Sequence, residues 1–191
     1  MLASRSPRRR ELAIGAGWNV LLAPPAEEVE ASAPPRRADE PLEDYVVRLA
    51  RAKAEAVAAT GIQGTILACD TLSEADGRAL GQPTDVADAR RMLQTLSGKR
   101  HRVVTGVCLW EHPLLDPIEA TAESWLEMDR LDEAFLCWYL ESGLWRGKAG
   151  ACGFQDERLP LRLASGSASN VVGLPLELIG EMLDQRDCML A

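Results

Sequence analysis

The sequence Leu2-Ala3-Ser4-Arg5-Ser6-Pro7-Arg8-Arg9-Arg10-Glu11-Leu12 carries the strongest local signal in the chain. Ser6 before Pro7 predicts a helix start, because serine is a good N-cap and proline fits the first helical position. Three arginines follow, although the positive end of a helix dipole favours acidic side chains there. Backbone N–H groups, serine hydroxyls and guanidinium groups can together bind a phosphate chain. The stretch therefore predicts a short strand that turns into a phosphate-binding helix. The alternative is the solvated face of a short amphipathic helix.

The composition predicts a soluble globular protein. The chain has 191 residues, of which 47% are hydrophobic and 26% charged. This length can bury a real core, either as one domain or as two lobes that share a sheet. The net charge is -8, from 29 acidic and 21 basic residues. A surface for nucleic-acid polymers needs basic residues spread along one face, so the charge argues against such a partner and leaves nucleotides open.

The cysteines and the apolar segments bear on the compartment. Five cysteines occur without any C-x-x-C pair: Cys69, Cys108, Cys137, Cys152 and Cys188. This spacing favours buried free thiols in a reducing compartment over disulfides or a zinc site. No apolar run approaches the roughly 20 residues of a membrane helix, and the arginine-rich start lacks the apolar segment of a secretory signal. We expect a cytoplasmic protein that does not contact membranes.

Hydrophobic periodicity and turn residues predict alternating strands and helices. The predicted strands are 18–23, 65–69, 101–110, 118–128 and 161–164, with a hairpin turn at 74–78 and a further turn at 166–170. The predicted helices begin near 7, 41, 85, 132 and 175, and the last one extends to about 183. The strands 101–110 and 118–128 should be antiparallel.

Two charged residues and one loop are candidates for a functional site. Asp70 follows a predicted buried strand, and crevices of α/β proteins open beyond the carboxyl ends of strands; the alternative role is a helix cap or turn residue. Lys53 falls on the apolar stripe of the helix that begins at 41, so its ammonium group either reaches solvent or faces a negative group. The glycine-rich segment 145–156 is predicted to be a binding loop, because glycine lets a backbone approach a ligand closely.

Seven motifs in this order resemble the Maf family of nucleoside triphosphate pyrophosphatases. They are Ser4-x-Ser6-Pro7-Arg8-Arg9, the carboxylates of 27–30, Lys53, Asp70-Thr71 with Gly81-x-Pro83, Leu96-Ser97-Gly98-x-x-His101, Lys148-Ala149-Gly150 with Gly153-Phe154-Gln155, and Val172-Gly173-Leu174-Pro175. Each motif alone is weak, but together they cover nearly the whole chain.

The resemblance implies a fold and a reaction. The implied fold is α/β and similar to the inosine triphosphate pyrophosphatases: a long twisted mixed sheet with flanking helices, in two lobes around a cleft. Residues 1–191 would form one such domain, with both lobes sharing the sheet. The implied reaction is hydrolysis of the bond between the α and β phosphates, which gives a nucleoside monophosphate and pyrophosphate. The implied cofactor is a divalent metal, Mg²⁺ or else Mn²⁺ or Co²⁺, and a homodimer is an open possibility.

The resemblance also assigns roles to residues. Asp70 would be the catalytic acid-base residue and a metal ligand, joined by Glu27 or Glu28, with Glu30 competing for that position. The substrate-binding residues would be Ser4, Ser6, Arg8, Arg9, Lys53, Thr71, Lys148 and Gln155.

Three of these positions bear on the substrate. Arg8, Thr71 and Gln155 resemble the family members that act on dTTP and UTP, since the 7-methyl-GTP type has tryptophan at position 8 and glutamine at position 71. Two departures stand out: Gln82 replaces a family lysine, and Asp156-Glu157 follows Gln155 where glycine is usual. The alternatives are the same chemistry on CTP, a modified pyrimidine or 7-methyl-GTP, and a nucleotide-binding regulator of cell division with weak or no catalysis.

Overall fold

Helices and strands follow one another along the residues that the computed structural model describes, 1–26 and 34–191. The helices are α1 (Pro7–Gly15), α2 (Leu42–Ala58), α3 (Val86–Leu96), α4 (Glu133–Ser142), α5 (Ala168–Val172) and α6 (Leu176–Leu190), with a 3₁₀ turn at Ala149–Ala151. The strands are β1 (Gly64–Ala75), β2 (Arg78–Leu80), β3 (Arg100–His112), β4 (Ile118–Met128) and β5 (Leu161–Ser165). None of the described helices is long and apolar enough to cross a membrane.

The five strands form one sheet in the order β2-β1-β3-β4-β5. β1 pairs antiparallel with β2, and β4 pairs antiparallel with β5. β3 and β4 are also antiparallel, because the connection 113–117 is too short for a parallel crossover. Leu2 adds parallel bridges to Leu22 and Leu67. The predicted α/β class with flanking helices is confirmed. Parallel pairing is limited, among the described residues, to the isolated bridges of Leu2.

The chain divides into two compact units. Unit 1 consists of Met1–Asp70, Thr105–Ala122 and Gly173–Ala191, and unit 2 consists of Thr71–Val104 and Glu123–Val172. The chain passes from one unit to the other inside β1, β3 and β4. The cleft that the resemblance implies stays a prediction.

Unit 1 has hydrophobic clusters on both faces of β1. Leu67 and Cys69 belong to a cluster that also contains residues of α1 and α6. Ile66 and Ala68 belong to a second cluster with the alanines of α2. Successive side chains of a strand point to opposite faces, so this alternation covers the sheet on both sides. Gly106 of β3 lies directly against α2, and a Cβ atom there would overlap the backbone of Val46 and Val47.

Unit 2 has a single large hydrophobic cluster. Leu93 and Leu96 of α3 pack there with Leu136 and Tyr139 of α4 and with Trp145. Asp85 caps α3 by accepting a hydrogen bond from the Asp88 backbone N–H, as the predicted helix start requires.

The structure corrects the prediction that Asp70 ends a strand. β1 continues through Asp70 to Ala75, since residues 73–75 pair with β2 beyond the turn at Asp76 and Gly77. β2 is only three residues long, and so brief a partner leaves little periodic signal in the sequence. The predicted hairpin is confirmed, while Asp70 occupies the interior of the strand.

Three further predictions are wrong. Residues 18–23 form no strand, because Leu22 makes a single bridge to Leu2 and the segment that follows Leu2 soon enters α1. Within the predicted turn 166–170, the short helix α5 begins at Ala168. The last helix extends past residue 183 to Leu190.

The prediction of free cysteines is confirmed and that of uniform burial is wrong. All five are free thiols, but Cys188 is exposed and Cys137 and Cys152 are half-buried.

Candidate functional site

The N-terminus of α1 has the geometry that its sequence predicts. Pro7 occupies the first turn, and the Ser6 side chain accepts a hydrogen bond from the Arg9 backbone N–H at 3.4 Å. Ser4 is buried, and its hydroxyl accepts from the Ser6 backbone N–H at 3.1 Å. The two serines therefore fix the turn from which the helix starts.

The arginines of α1 differ in their surroundings. Arg9 donates from Nε to the Gly173 carbonyl at 2.7 Å and from Nη1 to the Ser4 hydroxyl at 3.5 Å. Arg8 is half-buried and Arg10 is exposed. The first turn contains no acidic residue. Positive charge therefore collects where the helix dipole is also positive, an arrangement that a bound anion would stabilise.

Lys53 and Asp70 form an ion pair. The Lys53 Nζ atom lies 2.5 Å from Asp70 Oδ1, and the side chains are only 12% and 15% exposed. α2 contributes the lysine and β1 the aspartate. Of the two alternatives for Lys53, the structure shows the one in which its ammonium group faces a negative partner. Loss of Lys53 would leave the poorly solvated carboxylate of Asp70 without this ammonium group.

The thiol of Cys69, the residue before Asp70, is fully buried. Burial raises the pKa of Cys69 to about 11, while the cations of Arg9 and Lys53 act to lower it and the carboxylate of Asp70 acts to raise it. The contacts within unit 1 join Lys53 to Asp70 and Arg9 to Ser4.

The candidate metal ligands are only partly within the described residues. Glu27, Glu28 and Glu30 lie outside them. In the described ranges, 1–26 and 34–191, no group of three or more His, Cys, Asp or Glu side chains is placed to hold a metal ion. The carboxylate of Asp70 is a donor of the kind that Mg²⁺ takes, since this ion uses one or two carboxylates with phosphate oxygens and water. The donor chemistry of Asp70 therefore fits the implied metal.

The remaining candidates lie in unit 2. Thr71 is half-buried, whereas Gln82 and Gln155 are exposed. Lys148 Nζ lies 2.5 Å and 2.6 Å from the two carboxylate oxygens of Asp156. From the sequence, Asp156 stands out only as a departure from the family pattern, and nothing there identifies it as the partner of Lys148.

Comparison with known proteins agrees with the order of the motifs. A family model described as Maf-like protein matches residues 1–186. The chain belongs to the Maf family.

Relatives of this Maf chain come from bacteria and archaea. The proteins from Rhodopirellula baltica and from Anaeromyxobacter dehalogenans strain 2CP-C are 39% and 42% identical to it, over 96% and 92% of this chain and 80% and 88% of theirs. The protein from Pyrococcus horikoshii is 34% identical over 95% of this chain and 94% of its own. Each is named dTTP/UTP pyrophosphatase. The solved structure of the Staphylococcus aureus Ham1 protein aligns with a TM-score of 0.44 and 15% identity, over 66% of this Maf chain and 70% of that chain.

Proposed function

We propose that the protein is a nucleoside triphosphate pyrophosphatase that hydrolyses dTTP and UTP to the monophosphate and pyrophosphate. The relatives that carry this name match at 34–42% identity over more than nine tenths of the chain. Within the molecule, the observation that carries the proposal is the Lys53–Asp70 pair, which puts a carboxylate beside a cation in a weakly solvated place. This combination suits the activation of water next to a phosphate.

Asp70 is the proposed catalytic residue. Its carboxylate orients a water molecule and accepts a proton from it as the oxygen attacks the α-phosphorus. The bond between the α-phosphorus and the bridging oxygen breaks, and its electron pair leaves with pyrophosphate. Lys53 offsets the negative charge that builds on the phosphate oxygens.

The N-terminal segment is the proposed phosphate-binding element. Arg8 and Arg9 supply positive charge, and Ser4 and Ser6 belong to the turn that shapes the helix start. Guanidinium groups bind phosphate through charge-assisted hydrogen bonds. Thr71 and Gln155 are proposed substrate contacts on the basis of the family resemblance.

Asp70, with Glu27 or Glu28, would hold the divalent metal. When bound, Mg²⁺ (or else Mn²⁺ or Co²⁺) supplies positive charge to the triphosphate.

The test is release of pyrophosphate from a panel of dTTP, UTP, CTP and 7-methyl-GTP with Mg²⁺ or Mn²⁺. We expect dTTP and UTP to be hydrolysed fastest, with one pyrophosphate for each monophosphate. Stepwise release of inorganic phosphate would contradict the proposed bond cleavage. Nucleotide binding that raises the melting temperature without any turnover would favour the regulator instead.

The proposed compartment is the cytoplasm, because all five cysteines are free thiols. A homodimer stays a prediction, which light scattering of the purified protein tests.

A further inference from the structure

The carboxylate of Asp156 is the centre of a polar cluster in unit 2. It accepts from Lys148 Nζ through both oxygens, at 2.5 Å and 2.6 Å, and from the Tyr139 hydroxyl at 2.5 Å. The side chains of Lys148 and Asp156 are 12% and 9% exposed. Burial, followed by the hydrogen bond to Asp156, raises the pKa of Tyr139, so its hydroxyl keeps its proton and stays the donor.

The same carboxylate holds the turn that precedes it. The Gly153 backbone N–H donates to Asp156 Oδ2 at 3.2 Å, and the Asp156 backbone N–H donates to the Gly153 carbonyl at 3.0 Å. A Cβ atom on Gly153 would lie 2.6 Å from Lys148 Nζ and 2.8 Å from Asp156 Oδ2. A side chain at position 153 would therefore have to displace Lys148 or Asp156 from this pair. The turn 153–156, which carries Gln155, is thus fastened to the ion pair.

A second contact anchors the chain just after this turn. The guanidinium group of Arg158 lies 4.3 Å from the ring centroid of Trp138. Trp138 and Tyr139 are neighbours in α4, so both attachments lead to the same helix. Between them, Gln155 and Glu157 are exposed.

The charge of Lys148 is compensated inside this cluster. Lys148 donates to both oxygens of Asp156, whereas Lys53 contacts a single oxygen of Asp70. Lys148 therefore offers less positive potential to a phosphate, and Glu157 adds a further negative charge nearby. The exposed group that the turn presents is the neutral amide of Gln155. An amide has two donors and an acceptor, which suits the uncharged edge of a base.

We propose that Lys148 and Asp156 are positioning residues whose ion pair, together with Tyr139, fixes the turn 153–156 so that Gln155 meets the base of the nucleotide. This inference rests on the proposed function. It replaces a direct substrate contact of Lys148 with an indirect role in selecting the base.

The test is a double-mutant cycle with Lys148→Met, Asp156→Asn and the double variant. Each single variant leaves one buried charge without its partner, whereas the double variant removes both charges at similar volume. We expect each single change to raise KM for UTP by about tenfold, with kcat within about twofold, and to reduce the preference for UTP over CTP. We expect KM of the double variant to lie closer to that of the wild type than KM of either single variant.

If Lys148 instead contacted the phosphates of the substrate directly, the same variants would give different KM values. Asp156→Asn would then release the lysine and lower KM, and the double variant would be no better than Lys148→Met. Either result overturns the inference. Glu157→Gln is the matched control, because it removes the adjacent exposed carboxylate, and it should leave KM and base preference unchanged.

Two measures keep the test decisive. If a charge variant fails to fold, Tyr139→Phe removes only one hydrogen bond and should shift KM and base preference in the same direction by a smaller factor. Unchanged base preference in a folded Tyr139→Phe protein would count against the inference. Calorimetry of UTP and CTP binding measures base selectivity even if the wild type shows no turnover. Absence of turnover in the wild type refutes the proposed function. Unchanged base selectivity of Asp156→Asn refutes only the positioning role.

Discussion

His101 has a buried imidazole near the start of β3. It is 1% exposed, and neither ring nitrogen has a hydrogen-bond partner among the described residues. Burial lowers the pKa of His101 from 6.5 to about 4. The folded protein therefore keeps the ring neutral at a pH where the unfolded chain binds a proton. The contribution of His101 to stability is fully present above about pH 6.5 and is lost as the pH falls towards 4.

We expect this histidine to contribute a loss on the order of 3 kcal/mol in the free energy of unfolding between about pH 7 and pH 4. Urea denaturation across that range should show a steeper loss in the wild type than in the His101→Leu variant, which lacks the titrating group. Parallel pH profiles for the two proteins would show that His101 is not held neutral.

Gln82 is exposed and replaces the lysine of the family pattern. An amide donates hydrogen bonds but supplies no charge, so Gln82→Lys should raise kcat for dTTP if position 82 faces the phosphates. Steady-state kinetics at several metal concentrations should show the largest gain at low metal. No gain at any metal concentration would mean that position 82 lies away from the phosphates.

Single residues were predictable where their signals are local. The Ser6 cap needs only the adjacent helix start, and Lys53 needs only the helical period that puts it on a buried face. Asp156 has no such signal, because its contacts with Tyr139 and Lys148 exist only after α4 and the loop have packed together. The glutamates at 27 and 28 stay predictions.

Two glycines allow the packing of one strand against one helix to be tested. Gly106 of β3 lies against the backbone of α2, whereas Gly180 of α6 has open space where its Cβ would be. Gly106→Ala should force the helix from the sheet and destabilise the protein by about 3 kcal/mol, at the upper end of overpacking costs. Gly180→Ala should instead stabilise it by up to about 1 kcal/mol, because alanine favours helices.

Thermal and urea denaturation of the two alanine variants measure this contrast. Equal stabilities would contradict the close approach of α2 to β3.

Elements were predictable in proportion to their length and periodicity. The helix over 86–96 and the strand over 118–128 have many residues that repeat one pattern, and both were predicted within a residue or two. The segment 18–23 has strand-like residues, yet its partner turns into α1 after Ser4 and allows a single bridge. Pairing depends on the neighbour as well as on the segment, so composition alone misleads there.

The whole chain has a net charge of -8 and still has to bind a highly negative substrate. Lys53 is paired with Asp70, and Arg8 and Arg9 lie in the first turn of α1, so we expect the attraction of phosphate to be local. A long polyanion would meet repulsion from the rest of the surface. We expect tripolyphosphate to inhibit dTTP hydrolysis, and single-stranded DNA at the same phosphate concentration to have no effect. Equal inhibition by the two polyanions would contradict a local phosphate site.

The central claim is that the carboxylate of Asp70, paired with Lys53, activates water for attack on the α-phosphate. Asp70→Asn keeps the shape of the side chain and removes its capacity to accept a proton. Asp184→Asn, on the exposed surface of α6, is the matched control.

The decisive measurement is pyrophosphate release from dTTP by these two variants, with calorimetric binding of dTTP as a check that the site still forms. Asp70→Asn should lose on the order of a hundredfold or more in kcat while it still binds dTTP, and Asp184→Asn should match the wild type. Turnover by Asp70→Asn within a few-fold of the wild type would contradict the claim.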